Sequence, residues 1–323
     1  MKSILITGSS GFLGTEVVKL ALSRGYRVVG IDVKAPGNIH DSNFHFIQSK
    51  ISELEVKNLF EFDFIVHTAS TLPYGNKKKD FSQNNTEAAK EIANIARQLG
   101  TFLVQVGSSS VYGKPLNVPI DRNTRTSPLD AYGVSKLRAE TEISKVLSTE
   151  EYCVIRPRTI LGKGRGGIFS IFFSLIKMRF PIPLPNAGKQ IIQFVHVSDL
   201  AALCLFLGSQ KITGIWPAAS PNPRKLMEYL EEISNIQKKS IRYIPIYPMV
   251  FRLIGSVAVG LRLTKFTMWH FGAFPYDCYF EETWTPVGFT YKFSSSQAFI
   301  EAWKGSDIDS HGKESRLIIK AKE

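Results

Sequence analysis

One stretch near the start leaves the chain few ways to fold. "SILITG" (3–8) is a short apolar run that stops at a glycine, and "GFLGTEVVKLALSRG" (11–25) has helical spacing that closes on Gly25. Between them "TGSSGFLG" (7–14) places glycines at positions 8, 11 and 14. Gly8 allows a sharp turn after the strand. Gly11 removes the Cβ that would keep the backbone away from a pyrophosphate. Gly14 lets the helix lie close against the strand. The helix start then offers free N–H groups and a positive dipole end to an anion. The second strand, "YRVVGID" (26–32), ends on Asp32, where a carboxylate can bond the adenosine ribose hydroxyls and repel a 2′-phosphate. The reading is therefore NAD rather than NADP, although Lys34 beside it works against that preference.

The alternation continues. "FDFIVHTAS" is a strand, "FSQNNTEAAKEIANIARQLG" a helix ending on Gly100, "TFLVQVGSSS" a strand, residues 131–146 a helix and "YCVIRP" a strand. This predicts an α/β fold, a Rossmann-type doubly wound parallel sheet with helices on both faces. After Pro157 the pattern changes to Gly, Pro and aromatics. "QFVHVSDLAALCLFLG" then reads as a return to the sheet domain, with Asp199 or Ser198 capping a helix. The expected organisation is an NAD-binding domain (1–156 plus about 191–215), a smaller mixed α/β substrate domain (about 157–190 plus 216–305) and a polar tail (306–323).

Composition bounds the rest. The chain has 323 residues, 44% of them hydrophobic and 21% charged, which suits a packed core and excludes wholesale disorder. A net charge of +12 favours anionic partners such as nucleotides, phosphates or an acidic membrane surface. Cys153, Cys204 and Cys278 are far apart and have no metal-ligand spacing, so they read as reduced buried thiols in a cytoplasmic protein. The early glycines make a poor signal peptide, and no apolar run reaches spanning length. Two shorter apolar stretches, 167–176 and 249–263, are flanked or broken by Lys or Arg. They read as buried or lid helices, or as a peripheral contact with the inner membrane surface.

"DAYGVSK" (130–136) sets Tyr132 and Lys136 four apart, on one helix face. An ammonium beside a phenol favours the phenolate and prepares it as a base. Alone, the spacing fits a surface helix equally well.

The neighbouring motifs decide between these. "TGSSGFLG", "HTAS" (67–70), Asn85, "SSSVYG" (108–113), "YGVSK" (132–136), "IRP" (155–157) and "FVHVSDLA" (194–201) occur in one order. Together they resemble the extended short-chain dehydrogenase/reductase family, in its NAD-dependent sugar epimerase/dehydratase group. The resemblance covers roughly residues 1–230. It implies that Ser108 binds the reacting hydroxyl, that Tyr132 is the general acid/base, and that Lys136 activates Tyr132 and holds the nicotinamide ribose. It implies a dinucleotide site of Gly8, Gly11, Phe12, Leu13, Gly14, Asp32, Ile51, Thr68, Ala69, Ser70, Asn85 and Pro157. Ser109, Arg158 and Thr159 join Ser108 as expected substrate contacts. His196 and Asp199 are expected to be structural. The implied activity is epimerisation of a nucleotide- or lipid-linked sugar through a transient keto intermediate. A dehydrogenase or ketoreductase acting on a sugar or hydroxysteroid-like alcohol is the alternative. Family members often dimerise through helices corresponding to 81–99 and 132–147, so a homodimer is expected.

Three departures shape the substrate. Ser109 and Ser110 stand where dehydratases carry an acidic pair, which argues against 4,6-dehydration. Lys50, followed by Ile51, stands where an Asp usually reads adenine. Ile192 and Gln193 replace an arginine expected before "HVSD", and "HFGAFPYD" (270–277) lacks a second one. Arg158, Lys163, Arg165, Lys177 or Arg179 are the candidate replacements for these diphosphate ligands. The apolar 168–182 segment beside them suits a substrate with phosphate and greasy parts, such as a polyprenyl-linked sugar, or simply a core helix. "GNKKKD" (75–80) reads as a cationic loop over the site rather than a nucleic-acid contact. No metal and no nucleic-acid partner is expected.

Overall fold

The structure, a computed structural model, describes residues 1–54, 61–72, 81–164, 168–261 and 268–306. The lysine run at 75–80, Arg165 and the tail from 307 lie outside the described residues.

The first half alternates strand and helix: β1 (Ser3–Thr7), α1 (Phe12–Ser23), β2 (Arg27–Asp32), β3 (Phe44–Gln48), β4 (Phe64–His67), α2 (Ala88–Leu99), β5 (Phe102–Val106), α3 (Ala131–Val146) and β6 (Tyr152–Pro157). The second half is more mixed: β7 (Thr159–Leu161), α4 (Ile168–Lys177), β8 (Ile182–Pro185), β9 (Ile191–Ile192), β10 (Phe194–His196), α5 (Val197–Gln210), β11 (Gly214–Ala218), β12 (Arg224–Lys225), α6 (Leu226–Gln237), β13 (Tyr243–Ile246), α7 (Pro248–Gly260), α8 (Met268–Gly272) and α9 (Ser295–Gly305).

Seven strands form one sheet in the order β11-β6-β5-β4-β1-β2-β3, and every pairing is parallel. Such strands need apolar residues on both faces. β1 meets this with Ile4, Leu5 and Ile6, all fully buried. Helices α1 and α5 cover one face and α2 and α3 the other, each over its own apolar core, so the sheet is doubly wound. β11 carries the sheet to Ala218, past residue 215 where the sequence reading leaves it. The order reverses between β1 and β4, and the crevice at the carboxyl ends of those strands is where such sheets bind ligands.

A second core lies beyond the sheet. Phe169, Phe173, Phe194, Tyr229 and Phe299 join α4, β10, α6 and α9, with ring centroids 5.0–5.7 Å apart between the Phe169–Phe194, Phe169–Phe299 and Phe173–Phe299 pairs. The apolar 168–177 segment packs here through Phe169, Phe172, Phe173 and Ile176. Cys153, Cys204 and Cys278 are buried and unpaired.

The cap of α5 differs from the sequence reading. His196, not Asp199 or Ser198, caps the helix, its Nδ1 accepting the Ser198 N–H at 3.3 Å. Asp199 lies inside the first turn. Its carboxylate accepts the N–H groups of Lys292 and Phe293, each at 3.0 Å, and so ties the C-terminal segment to the sheet domain. His196 also stacks on Phe293 at 3.8 Å between ring centroids.

Candidate active site

The glycine loop has the shape its sequence requires. Gly8 takes φ +71, and a Cβ on it would lie 2.5 Å from the Ala69 backbone nitrogen. A Cβ on Gly14 would lie 2.0 Å from the Gly8 carbonyl oxygen. The loop after β1 and the loop after β4 therefore touch backbone to backbone. Thr68 fixes that contact by donating to the Thr7 carbonyl at 2.8 Å, and Ala69 and Ser70 follow it along the crevice. Gly11 begins α1 with no side-chain cap, which leaves first-turn N–H groups open for an anion. Leu13 points into the core, so it can meet a dinucleotide only through its backbone. Phe12 packs half-buried against the same core. The Asp32 carboxylate accepts the Ser10 N–H at 3.1 Å and the Lys34 N–H at 3.0 Å. It stands at the end of β2 beside the loop. Ile51 buries its side chain in the core beneath β2, so only its backbone can face an adenine, while exposed Lys50 pairs with Glu53 at 3.0 Å.

Asp130 caps α3 by accepting the Gly133 N–H at 2.9 Å. Tyr132, Lys136 and Glu140 then fall at i, i+4 and i+8 and share the inward face. Tyr132 is buried, with the ring of Phe81 edge-on at 5.9 Å. Lys136 is 3% exposed and donates to the Val106 carbonyl at 3.2 Å, at the end of β5. Burial lowers its pKa from 10.5 to about 8, with the Glu140 charge pulling the other way. Glu140 meets Arg156 at 2.6 Å in a buried ion pair, and Arg156 also donates to the Tyr112 hydroxyl at 2.7 Å. Burial pulls the Arg156 pKa down, but the Glu140 hydrogen bond and charge more than reverse this. His67, at the end of β4, has its pKa pushed from 6.5 to about 3 by burial and then by the Lys136 charge. It therefore stays neutral, its Nδ1 2.6 Å from the Thr7 hydroxyl.

A widened helical turn, Ser82–Glu87, precedes α2 and turns Asn85 inward. Asn85 accepts the Thr71 N–H at 2.8 Å through Oδ1 and donates to the Ser135 hydroxyl at 3.0 Å through Nδ2. Ser135 donates to the Tyr132 carbonyl at 2.7 Å. The chain of bonds links the loop after β4 to the turn that carries Tyr132.

Ser108 starts the short helix Ser109–Tyr112, and its Oγ accepts from the Ser110 N–H at 3.1 Å and the Ser110 hydroxyl at 2.9 Å. Gly133 packs against this turn, since a Cβ there would lie 2.9 Å from the Ser110 carbonyl. The serine turn and the first turn of α3 are thus in contact. Pro157 ends β6, and Arg158 follows it into the interior. Arg158 donates to the Ser109 hydroxyl at 3.1 Å, while its Nε is buried without a hydrogen-bond partner. Among the described residues no carboxylate pairs with it. Its other neighbour is Cys278, whose thiol pKa is raised by burial and partly restored by the Arg158 charge. Arg158, Thr159, His270 and Cys278 line a cavity with Phe274 and Tyr276.

The family model for the NAD-dependent epimerase/dehydratase family matches residues 4–215. The chain belongs to that family. NAD is its cofactor, and the glycine cradle with Asp32 fits that dinucleotide. An uncharacterised protein, y4nG, of Sinorhizobium fredii is 28% identical over 97% of this chain and 81% of its own length. A putative UDP-glucose 4-epimerase of Methanocaldococcus jannaschii is 28% identical over 61% of this chain and 70% of its own. The UDP-glucuronic acid 4-epimerase of Bacillus cereus, solved with UDP-glucuronic acid and NAD, shares the fold with a TM-score of 0.74 at 19% identity, covering 95% of this chain and 99% of that one.

Within this epimerase/dehydratase fold, Ser108, Ser109, Tyr132, Lys136, Pro157 and Arg158 gather at the carboxyl ends of β5 and β6 and the start of α3. Lys177 donates to the Ser306 hydroxyl, and Arg179 follows α4 in a left-handed conformation on the surface. Gln193, standing where an arginine is usual, donates to the Ser220 carbonyl and accepts the Phe280 N–H, so it is a structural link. Sequence reasoning missed Ser110, Ser135 and Glu140. Glu140 was within reach, since it repeats the four-residue step from Tyr132 to Lys136. The links made by Ser110 and Ser135 are turn geometry and leave no sequence mark.

Proposed function

We propose that the protein is a sugar epimerase that oxidises a ring hydroxyl and reduces the resulting ketone from the opposite face. The observation that supports it best is the packing of the Ser108 turn on the first turn of α3, where Tyr132 lies one helical step from the buried Lys136. When bound, NAD supplies the hydride acceptor and then the donor. The chain supplies the proton chemistry. Ser108 holds the reacting hydroxyl, and Tyr132 takes its proton and later returns it. Lys136, charged below about pH 8, favours the phenolate form of Tyr132. Asn85 and Ser135 position that tyrosine through its backbone.

Ser109 and Ser110 stand where dehydratases of the family carry an acidic pair and hold no carboxyl acid, and this favours epimerisation over dehydration. Arg158 carries a buried positive charge beside the Ser109 hydroxyl and the Cys278 thiol, with no carboxylate pairing with it among the described residues, which is costly unless an anion joins it. We assign it to an anionic group of the substrate, with Thr159 beside it. That group belongs to a sugar with a diphosphate or carboxylate, on a nucleotide or lipid carrier.

The test is the nucleotide released when protein purified without added cofactor is denatured. Near-stoichiometric NAD is expected of an epimerase that recycles its hydride. An empty protein that binds NAD(H) reversibly would favour the dehydrogenase or ketoreductase alternative. Tyr132→Phe is expected to lower turnover by about 10²–10⁴-fold. Full turnover in that variant would remove Tyr132 from the assignment.

A further inference from the structure

We propose that α7 lies in the surface of an anionic lipid bilayer and holds the enzyme on the membrane. The helix shows two apolar faces where a helix on a globular domain needs one. Its inner face is Phe251 and Gly255. Phe251 packs on Phe271 at 5.4 Å and on Phe274 at 6.4 Å, and a Cβ on Gly255 would strike the Phe271 ring at 2.1 Å. Among the described residues nothing covers the other face. Tyr247, Val250, Leu253, Ile254, Val257 and Leu261 are 46–81% exposed. At 100° per residue they span an arc of roughly 120° beside the buried face, with Arg252, Ser256 and the exposed Met249 on the far side. Among the described residues, nine of the nineteen large apolar side chains on the surface fall between Tyr243 and Leu261, so the exposure is concentrated rather than scattered.

Charge selects the partner. From Ile233 to Leu261 the chain carries Lys238, Lys239, Arg242 and Arg252 and no Asp or Glu. All four cations are exposed. Exposed apolar side chains in a stretch that holds cations and no acid match the interface of an anionic bilayer, where tails meet negative headgroups. α7 runs only from Pro248 to Gly260, and no helix among the described residues is long and apolar enough to cross a membrane. The contact is therefore with one leaflet. Its position has a consequence. Phe251 touches Phe274, and Phe274 lines the cavity at Arg158, so one aromatic layer separates the lipid-facing helix from the candidate substrate cavity. The membrane contact itself does not depend on the epimerase reading.

The experiment is co-sedimentation of the full chain with vesicles of phosphatidylcholine, with and without phosphatidylglycerol. Wild type should bind the anionic vesicles and stay in solution with the neutral ones. Leu253→Glu with Val257→Glu should weaken binding at least tenfold. Both positions face outward, and unchanged NAD binding and melting temperature would show that the variant is folded. Lys238→Gln and Arg242→Gln should each weaken binding about fivefold, with the loss reproduced by salt. A wild type that ignores anionic vesicles, or a doubly acidic variant that binds like wild type, would overturn the proposal. So would a wild-type dimer that this variant dissociates, because the face would then belong to a second copy.

Discussion

Lys136 is held in its site at a cost to the fold, and replacing it with an apolar side chain of similar length should make the protein more stable. Its pKa falls from 10.5 to about 8 because it is buried. Each unit is worth about 1.4 kcal/mol, so keeping the side chain charged costs the folded state roughly 3 kcal/mol. Lys136→Met removes that cost and also removes the hydrogen bond to the Val106 carbonyl, a loss of about 1 kcal/mol. The net expectation is a gain of about 2 kcal/mol at pH 7, measured by urea denaturation of NAD-free protein. The pH dependence identifies the cause. Below pH 8 both folded and unfolded Lys136 carry the proton, and the penalty is complete. Between the folded value of about 8 and the unfolded 10.5, the folded chain releases a proton that the unfolded chain keeps. Wild-type stability therefore rises with pH relative to the variant, and the advantage of the variant closes by pH 10.5. A variant less stable than wild type at pH 7, or a difference that does not change with pH, would refute the argument. Turnover should be lost in the same variant.

His67 should give a slope of the same sign in a lower pH window. With a folded pKa of about 3 against 6.5 unfolded, stability should fall as pH drops below 6.5, by up to about 1.4 kcal/mol per unit, and His67→Gln should flatten that slope in an acid denaturation series. Gly8→Ala must place a Cβ 2.5 Å from the Ala69 nitrogen at φ +71, so calorimetry should show NAD binding weakened at least tenfold and a lower melting temperature. Arg158→Met removes a buried cation that has no carboxylate partner among the described residues. The ligand-free protein should become more stable in the same urea titration, while KM for an anionic sugar substrate rises at least tenfold.

How much of this was legible depends on the range of the interactions. The glycine loop was legible because its causes are local: a turn with positive φ, and a helix start that must approach its strand. The span of α3 and its Tyr132–Lys136 face were legible for the same reason, since periodicity and Asp130 at the cap are written within a few residues. The role of Asp199 was not. Its partners, Lys292 and Phe293, lie more than ninety residues away, and no local rule brings them together. Ile51 and Leu13 were placed at the cofactor by resemblance, but the folding of the sheet sends both side chains into the core.

The sequence by itself determined the alternation of strands and helices, the phosphate loop, the pairing of Tyr132 with Lys136, and an excess of positive charge. These follow from steric limits, periodicity and composition, which act on neighbours along the chain. Only the tertiary structure decided that Lys136 loses its water, that Arg158 meets Cys278 and Ser109, and that one apolar face of α7 is exposed. Burial and pairing depend on which distant segments arrive at the same place, and that is settled only when the whole chain packs.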